Sequence, residues 1–258
     1  MDYISKNLRY IAVLCVSAAI GFSATSAFGF PGVTNTIPKT YISEYSFCGN
    51  NDWSGDDRVL SSDLREINLP SSGNLNVDAG QNGSISIKGE ERNDVLVRAC
   101  VQARGKTEQA AKAIVASVRI NTSGEIEADG PVGATYWSVS YEILVPRVTN
   151  IGLTARNGGI TVSNVDGSAE VQTTNGGVNV DGASGSFKGR TVNGGINLTL
   201  SGQSWRGSGI DLQTTNGGVN LVIPENFAAN IEAGTVNGGI RSNIAALSIT
   251  TEDIKGTA

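Results

Sequence analysis

Few side chains in this chain could do covalent or metal chemistry. Histidine is absent, which removes a Ser-His-Asp or Cys-His nucleophile and an ordinary histidine zinc site. Paired carboxylates could still serve a glycosidase or lyase, and Asp166, Asp181 and Asp211 are the candidates. Asp166 falls in a turn and Asp211 at an outward strand position, so solvated surface is the expectation. Calcium-binding repeats of the form G-G-x-G-x-D need a recurring Asp. The matching segments read GGITVS, GGVNVD and GGINLT, and Asp181 alone stands at the ligand position. The run Asp52-Trp53-Ser54-Gly55-Asp56-Asp57 spaces its oxygen atoms well but lacks the glycine of an EF-hand loop. The chain therefore reads as a non-enzyme with no metal and no cofactor. The competing class is a carbohydrate-active enzyme on a β-helix, which a carboxylate pair facing one groove would reveal.

Binding chemistry has better candidates. Trp205 and Phe227 stand in variable loops with Arg206 beside them, and aromatic rings give contact area at low entropy cost. The competing reading folds each ring back over the edge of the fold. Asn179, Asn197 and Asn220, with Gln172 and Gln213, form rows of amides that could meet sugar hydroxyls. Thr173, Thr191, Thr214 and Thr235 recur like an ice-binding array, but their register points them inward. Cys48 and Cys100 are the two cysteines beyond the first 27 residues. In an oxidising compartment they form a candidate disulfide, with two free thiols as the alternative.

These residues are placed by a repeat. Asn-Gly-Gly followed by Ile or Val begins at Asn157, Asn175, Asn193, Asn216 and Asn237, at spacings of 18, 18, 23 and 21 residues. Before each Asn, apolar or small residues stand at even offsets: Ile151, Ala169, Phe187, Ile210 and Ile231 six before, Leu153, Val171, Gly189, Leu212 and Ala233 four before. After each Asn they stand at odd offsets, beginning with Ile160, Val178, Ile196, Val219 and Ile240. Alternation of this kind is a half-buried strand. A continuous strand cannot switch parity, so each Asn-Gly-Gly is a corner, where glycine tolerates positive φ and close backbone approach. An antiparallel meander and a stacked solenoid both supply two strands per repeat. The solenoid is expected, because residues 151–245 contain nothing to form a second layer over a meander and like residues recur position by position. The corner Asn side chains should then stack as an amide ladder. The extra residues fall opposite this corner, and variable loops on one edge are where binding usually lives.

The rest of the chain divides around the repeats. Lys6 and Arg9 precede a 12-residue apolar run, Ile11–Phe22, and small residues follow to Ala27. That is the layout of a secretory signal peptide, and the run is short of the ~20 residues a membrane span needs. Without residues 1–27 the chain has 17 basic and 23 acidic residues, a net charge of −6, which argues against nucleic acid as a partner. The expected division is 1–27 signal peptide, 28–60 partly ordered leader, 61–146 strand-and-helix region, 147–245 repeat solenoid and 246–258 polar tail. Residues 107–118 give the one good helix, with Ala110, Ile114 and Val118 on a face. This region either caps the solenoid or packs beside it. Asn82-Gly83-Ser84-Ile85 reads as a degenerate corner within it.

The NGG[IV] repeats, the segment SVSYEILVP leading into them, and GNLNVDAGQNGSISIKG followed by NDVLVRACVQA together resemble the bacterial adhesin-type family of unknown function known as DUF4097. The resemblance spans residues 60–245. It implies an extracytoplasmic β-repeat domain and carries no catalytic motif. The reading is an all-β protein, exported to the periplasm, cell surface or medium. It is a structural or adhesion-like module without catalytic activity that binds a surface polysaccharide or an envelope protein.

Overall fold

The computed structural model describes residues 47–49, 57–133, 136–200, 207–225 and 231–242. Among these the protein is mostly β, with one helix. The first half contributes β1 (Val59–Pro70), β2 (Asn74–Asp78), β3 (Ile85–Glu90), β4 (Asp94–Gly105), α1 (Glu108–Ser117), β5 (Arg119–Asn121), β6 (Glu125–Asp129) and β7 (Trp137–Pro146). The repeats contribute β8 (Asn150–Ala155), β9 (Ile160–Ser163), β10 (Ala169–Thr173), β11 (Val178–Asp181) and β12 (Phe187–Asn193). They continue with β13 (Ile196–Thr199), β14 (Ile210–Asn216), β15 (Val219–Val222), β16 (Ile231–Asn237) and β17 (Ile240–Ser242).

Each repeat gives one strand to each of two open sheets. The strand before Asn-Gly-Gly joins the order β16-β14-β12-β10-β8-β2-β6-β5, and the strand after it joins β1-β4-β7-β3-β9-β11-β13-β15-β17. Successive repeats pair in parallel, so like residues stand side by side. Ile151, Ala169, Phe187, Ile210 and Ile231 share one register column. Ile160, Val178, Ile196, Val219 and Ile240 share another. Their neighbours Leu153, Val171, Val162, Val180 and Leu198 are buried, while Glu170, Lys188, Asn179 and Asn197 alternate with them on the exposed side. Burying a Val, Leu or Ile contributes about 1.5–3 kcal/mol, and every repeat supplies several. Gly189 interrupts one inward column for a visible reason. A Cβ there would lie 2.9 Å from the Phe187 ring and 3.2 Å from a Leu212 methyl, so the ring takes the space its neighbour gives up.

The two sheets do not begin with the first complete repeat. β2 runs parallel to β8 and β3 parallel to β9, with Leu75 opposite Ile151 and Ile85 opposite Ile160. Asn82-Gly83 therefore occupies a corner of the same kind as the later ones. The chain then leaves these two rows for residues 91–149. That excursion lays β7 parallel beside β3 and β4 antiparallel beside β7, and β1, which comes earlier in the chain, pairs antiparallel with β4 on the edge. In the opposite sheet β6 lies parallel beside β2, and β5 antiparallel beyond it. The helix α1 packs on β4 and β1 and buries Ala111 and Val115. Thr107 caps its N-terminus by accepting from the Ala110 N–H at 3.2 Å. At its other end the Arg65 guanidinium donates to the carbonyls of Val115 and Val118, at 2.8 and 2.5 Å. Both groups satisfy helix-end polar atoms that otherwise lack partners.

Candidate functional site

The corner asparagines form a continuous ladder. The Nδ2 of Asn237 donates to Oδ1 of Asn216, and the same bond repeats from Asn216 to Asn193, Asn193 to Asn175 and Asn175 to Asn157, each at 2.7 Å. A fifth bond, from Asn157 to Asn82, measures 3.0 Å. Every rung points the same way, so the amide dipoles align and polarise one another. Beneath the ladder the recurrent threonines are buried. Thr173, Thr191, Thr214 and Thr235 donate to the carbonyls of Gly158, Gly176, Gly194 and Gly217, at 2.7–2.8 Å. An exposed threonine array for ice does not exist in this arrangement.

The corner glycines act through close approach. None of them has positive φ. A Cβ on Gly158, Gly176, Gly194, Gly217 or Gly238 would come within 1.9–2.1 Å of a glycine carbonyl oxygen in the preceding row. The second glycine is less confined, with 3.4 Å available at Gly159, Gly177 and Gly195. The opposite corner is equally tight. A Cβ on Gly185 would lie 2.4 Å from the Gly167 carbonyl, and one on Gly207 1.9 Å from that of Gly185. That second column escaped the sequence reading because the insertions shift its spacing. Both edges of the stack therefore carry glycines in close contact with the neighbouring row.

Two of the three candidate acids are occupied. Asp166 pairs with Arg147 at 3.3 Å and accepts from the Ser184 hydroxyl at 2.7 Å. Asp211 pairs with Arg190 at 3.3 Å and accepts from Gln213 at 3.0 Å. Asp181 lies exposed at the end of β11. Among the described residues no group of three or more His, Cys, Asp or Glu could hold a metal ion. On the outward amide row Asn197 donates to Asn179 at 2.8 Å, and Asn220 and Gln172 are exposed. Trp205, Arg206 and Phe227 lie outside the described residues, as does Trp53.

A groove lies where the ladder meets the first-half strands. It measures about 710 Å³ and runs between Asn82, Asn157 and Gly158 on one side and Tyr136 and Trp137 on the other. Its floor is the outer face of β1, β4 and β7, presenting Leu60, Gln102, Arg104, Ser138 and Ser140. The Arg58 guanidinium lies over the Tyr136 ring, 3.3 Å from its centroid, a cation–π contact. The Trp137 indole donates to the Pro131 carbonyl at 3.3 Å and packs so close to Gly130 that a Cβ there would lie 2.6 Å from the ring. Trp137 also borders a second hollow of about 360 Å³, lined by Ala79, Ala128 and Val139 among others. Beside the groove, Cys48 and Cys100 are joined by a disulfide, with Cα atoms 5.3 Å apart. Gln102 donates to the Gly49 carbonyl at 3.3 Å, so this bridged segment orients a groove side chain. Sequence reasoning missed Tyr136, Trp137 and Arg104 as a group. The alternation through Trp137–Val145 marked a strand but could not show which strands would flank it.

A family description, Toastrack DUF4097, matches residues 17–257. No curated protein matches the chain. Among solved structures it is similar to a "putative cell adhesion protein" from Clostridium sporogenes, at 14% identity over 72% of this chain and 100% of that one, with a TM-score of 0.37. It is also similar to a "putative adhesin" from Bacteroides fragilis, at 12% identity over 70% of this chain and 97% of that one, with a TM-score of 0.36. A third, from Parabacteroides merdae, is 8% identical over 70% of this chain and 95% of its own, with a TM-score of 0.31.

Proposed function

The chain belongs to the Toastrack DUF4097 family, and from that premise we propose that it is an exported, non-catalytic, adhesion-like module. It binds an envelope polymer or envelope protein. The observation that carries this reading is the alignment of the rows. Two parallel sheets, locked at both corners, hold exposed polar side chains at fixed spacing on their outer faces. Such a surface is suited to gripping a repeating polymer. The occupied state of Asp166 and Asp211 supports a non-catalytic role. The solenoid belongs to the same proposal: strands that alternate between two parallel sheets are what a chain winding forward row by row would give. Trp205, Arg206 and Phe227, in the insertions between repeats, are proposed as contacts.

The export step rests on residues 1–27, outside the described residues. Among the described residues no helix is long and apolar enough to cross a membrane. N-terminal sequencing of the secreted protein should find cleavage near Ala27. Pull-down of envelope fractions with that protein should succeed, and should weaken for Trp205→Ala. Failure to capture any envelope component counts against the module, and turnover of a polysaccharide lost in Asp211→Asn would replace it with an enzyme.

A further inference from the structure

We propose that the groove beside the first corner binds an anionic saccharide, with Arg104 as its counter-ion and Asn82 as its amide donor. This deepens the module reading and rests on it.

The chain carries a net charge of −5, yet among the described residues the groove lining contains Arg104 and no carboxylate. Three other arginines of the outer surface are consumed locally. Arg98 lies between Glu66 and Glu142, at 3.0 and 2.5 Å, and Arg147 and Arg190 hold Asp166 and Asp211. The Arg104 side chain, half-buried on β4, makes no ion pair among the described residues. Its planar fork matches a carboxylate in a bidentate pair. Partial burial lowers the screening such a pair would suffer in open water.

Asn82 supplies the second element. It is the first rung of the ladder, so its Oδ1 accepts from Asn157. Its Nδ2 has no lower rung to which it could donate. The aligned amides behind it polarise that group and make it a stronger donor toward the groove. Tyr136, with Arg58 over one ring face, and Trp137 also line the groove and add apolar ring surface beside which the C–H face of a sugar can lie. Ser84 and Ser138 hydroxyls and the Gln102 amide both donate and accept, as a ring bearing several hydroxyls requires. The volume lies in the ~300–1,000 Å³ range of small-ligand sites, room for a short segment of a chain.

The test uses the mature secreted protein and two probes, oligogalacturonate and its methyl ester, in which each carboxylate is replaced by a neutral ester. Calorimetry should show binding to the acid, weakened by salt, with affinity for the ester lower by about tenfold or more. Arg104→Gln should lower affinity for the acid by a similar factor, Arg104→Lys by less, and Lys112→Gln, on the exposed face of α1 away from the groove, not at all. Circular dichroism checks that each variant folds. If Arg104→Gln does not, the comparison of acid with ester on the unaltered protein still decides. Equal binding of the two probes, or an undiminished Arg104→Gln, overturns the groove assignment. Envelope capture without oligogalacturonate binding overturns the groove and leaves the module standing, whereas loss of both overturns both.

Discussion

At the scale of single residues, Tyr141 is the clearest anomaly. Its side chain is fully buried and its hydroxyl has no hydrogen-bond partner among the described residues. Burial, and then the nearby charges of Asp78 and Glu127, push its pKa well above the ordinary tyrosine range. The unfolded chain ionises this tyrosine near pH 10, whereas the folded protein keeps it neutral to higher pH. Above pH 10 the folded state therefore holds more protons than the unfolded one, and stability falls as pH rises. That contribution is fully present below pH 10. Tyr141→Phe should raise the neutral-pH stability by about 1 kcal/mol, since it removes an unsatisfied group. It should also flatten the decline above pH 10, measured by urea unfolding across the pH range. The sequence marked Tyr141 as one member of an alternating strand. It could not reveal the missing partner, because that depends on what the opposite sheet places across the core.

At the scale of elements, the corners decide which strands can stack. The two glycines of each motif look equivalent in sequence and differ in structure. A Cβ on Gly176 would lie 2.1 Å from the Gly158 carbonyl oxygen, while one on Gly177 has 3.4 Å to the nearest atom. Gly176→Ala should therefore cost about 1–3 kcal/mol or more through overpacking. Gly177→Ala should cost less than about 1 kcal/mol, and paired urea titrations would show the asymmetry. Equal costs would mean that the corners relax independently of their neighbours. Strand positions in the repeats were legible, since the inward columns recur with period two on either side of a fixed marker. The role of Asn82-Gly83 was partly legible as a degenerate corner. The long separation of β3 from β9 hid the fact that Ile85 and Ile160 are register neighbours.

For the whole molecule, the repeats and the first-half strands are held by different means. The repeats stack through local, recurring contacts, as linear repeat arrays do. The edge formed by β1 and β4 carries a bridge between Cys48 and Cys100, 52 residues apart. A loop of that length is worth about 2–4 kcal/mol when closed by a disulfide. Cys100→Ser should lower stability by that amount, and hydrogen exchange should show protection lost in β1 and β4 and retained in β11–β15. Uniform loss through the repeats would mean that the two parts unfold together. The sequence by itself determined the strand faces, the corners and the inward threonines, because periodicity and parity are local properties of the chain. Only the tertiary structure decided that β2 and β3 join the repeat sheets, that the opposite corner carries its own glycine column, and that Tyr136, Arg104 and Asn82 border one groove. Those residues come from separate strands, and their meeting depends on which strands pair, which no local spacing encodes.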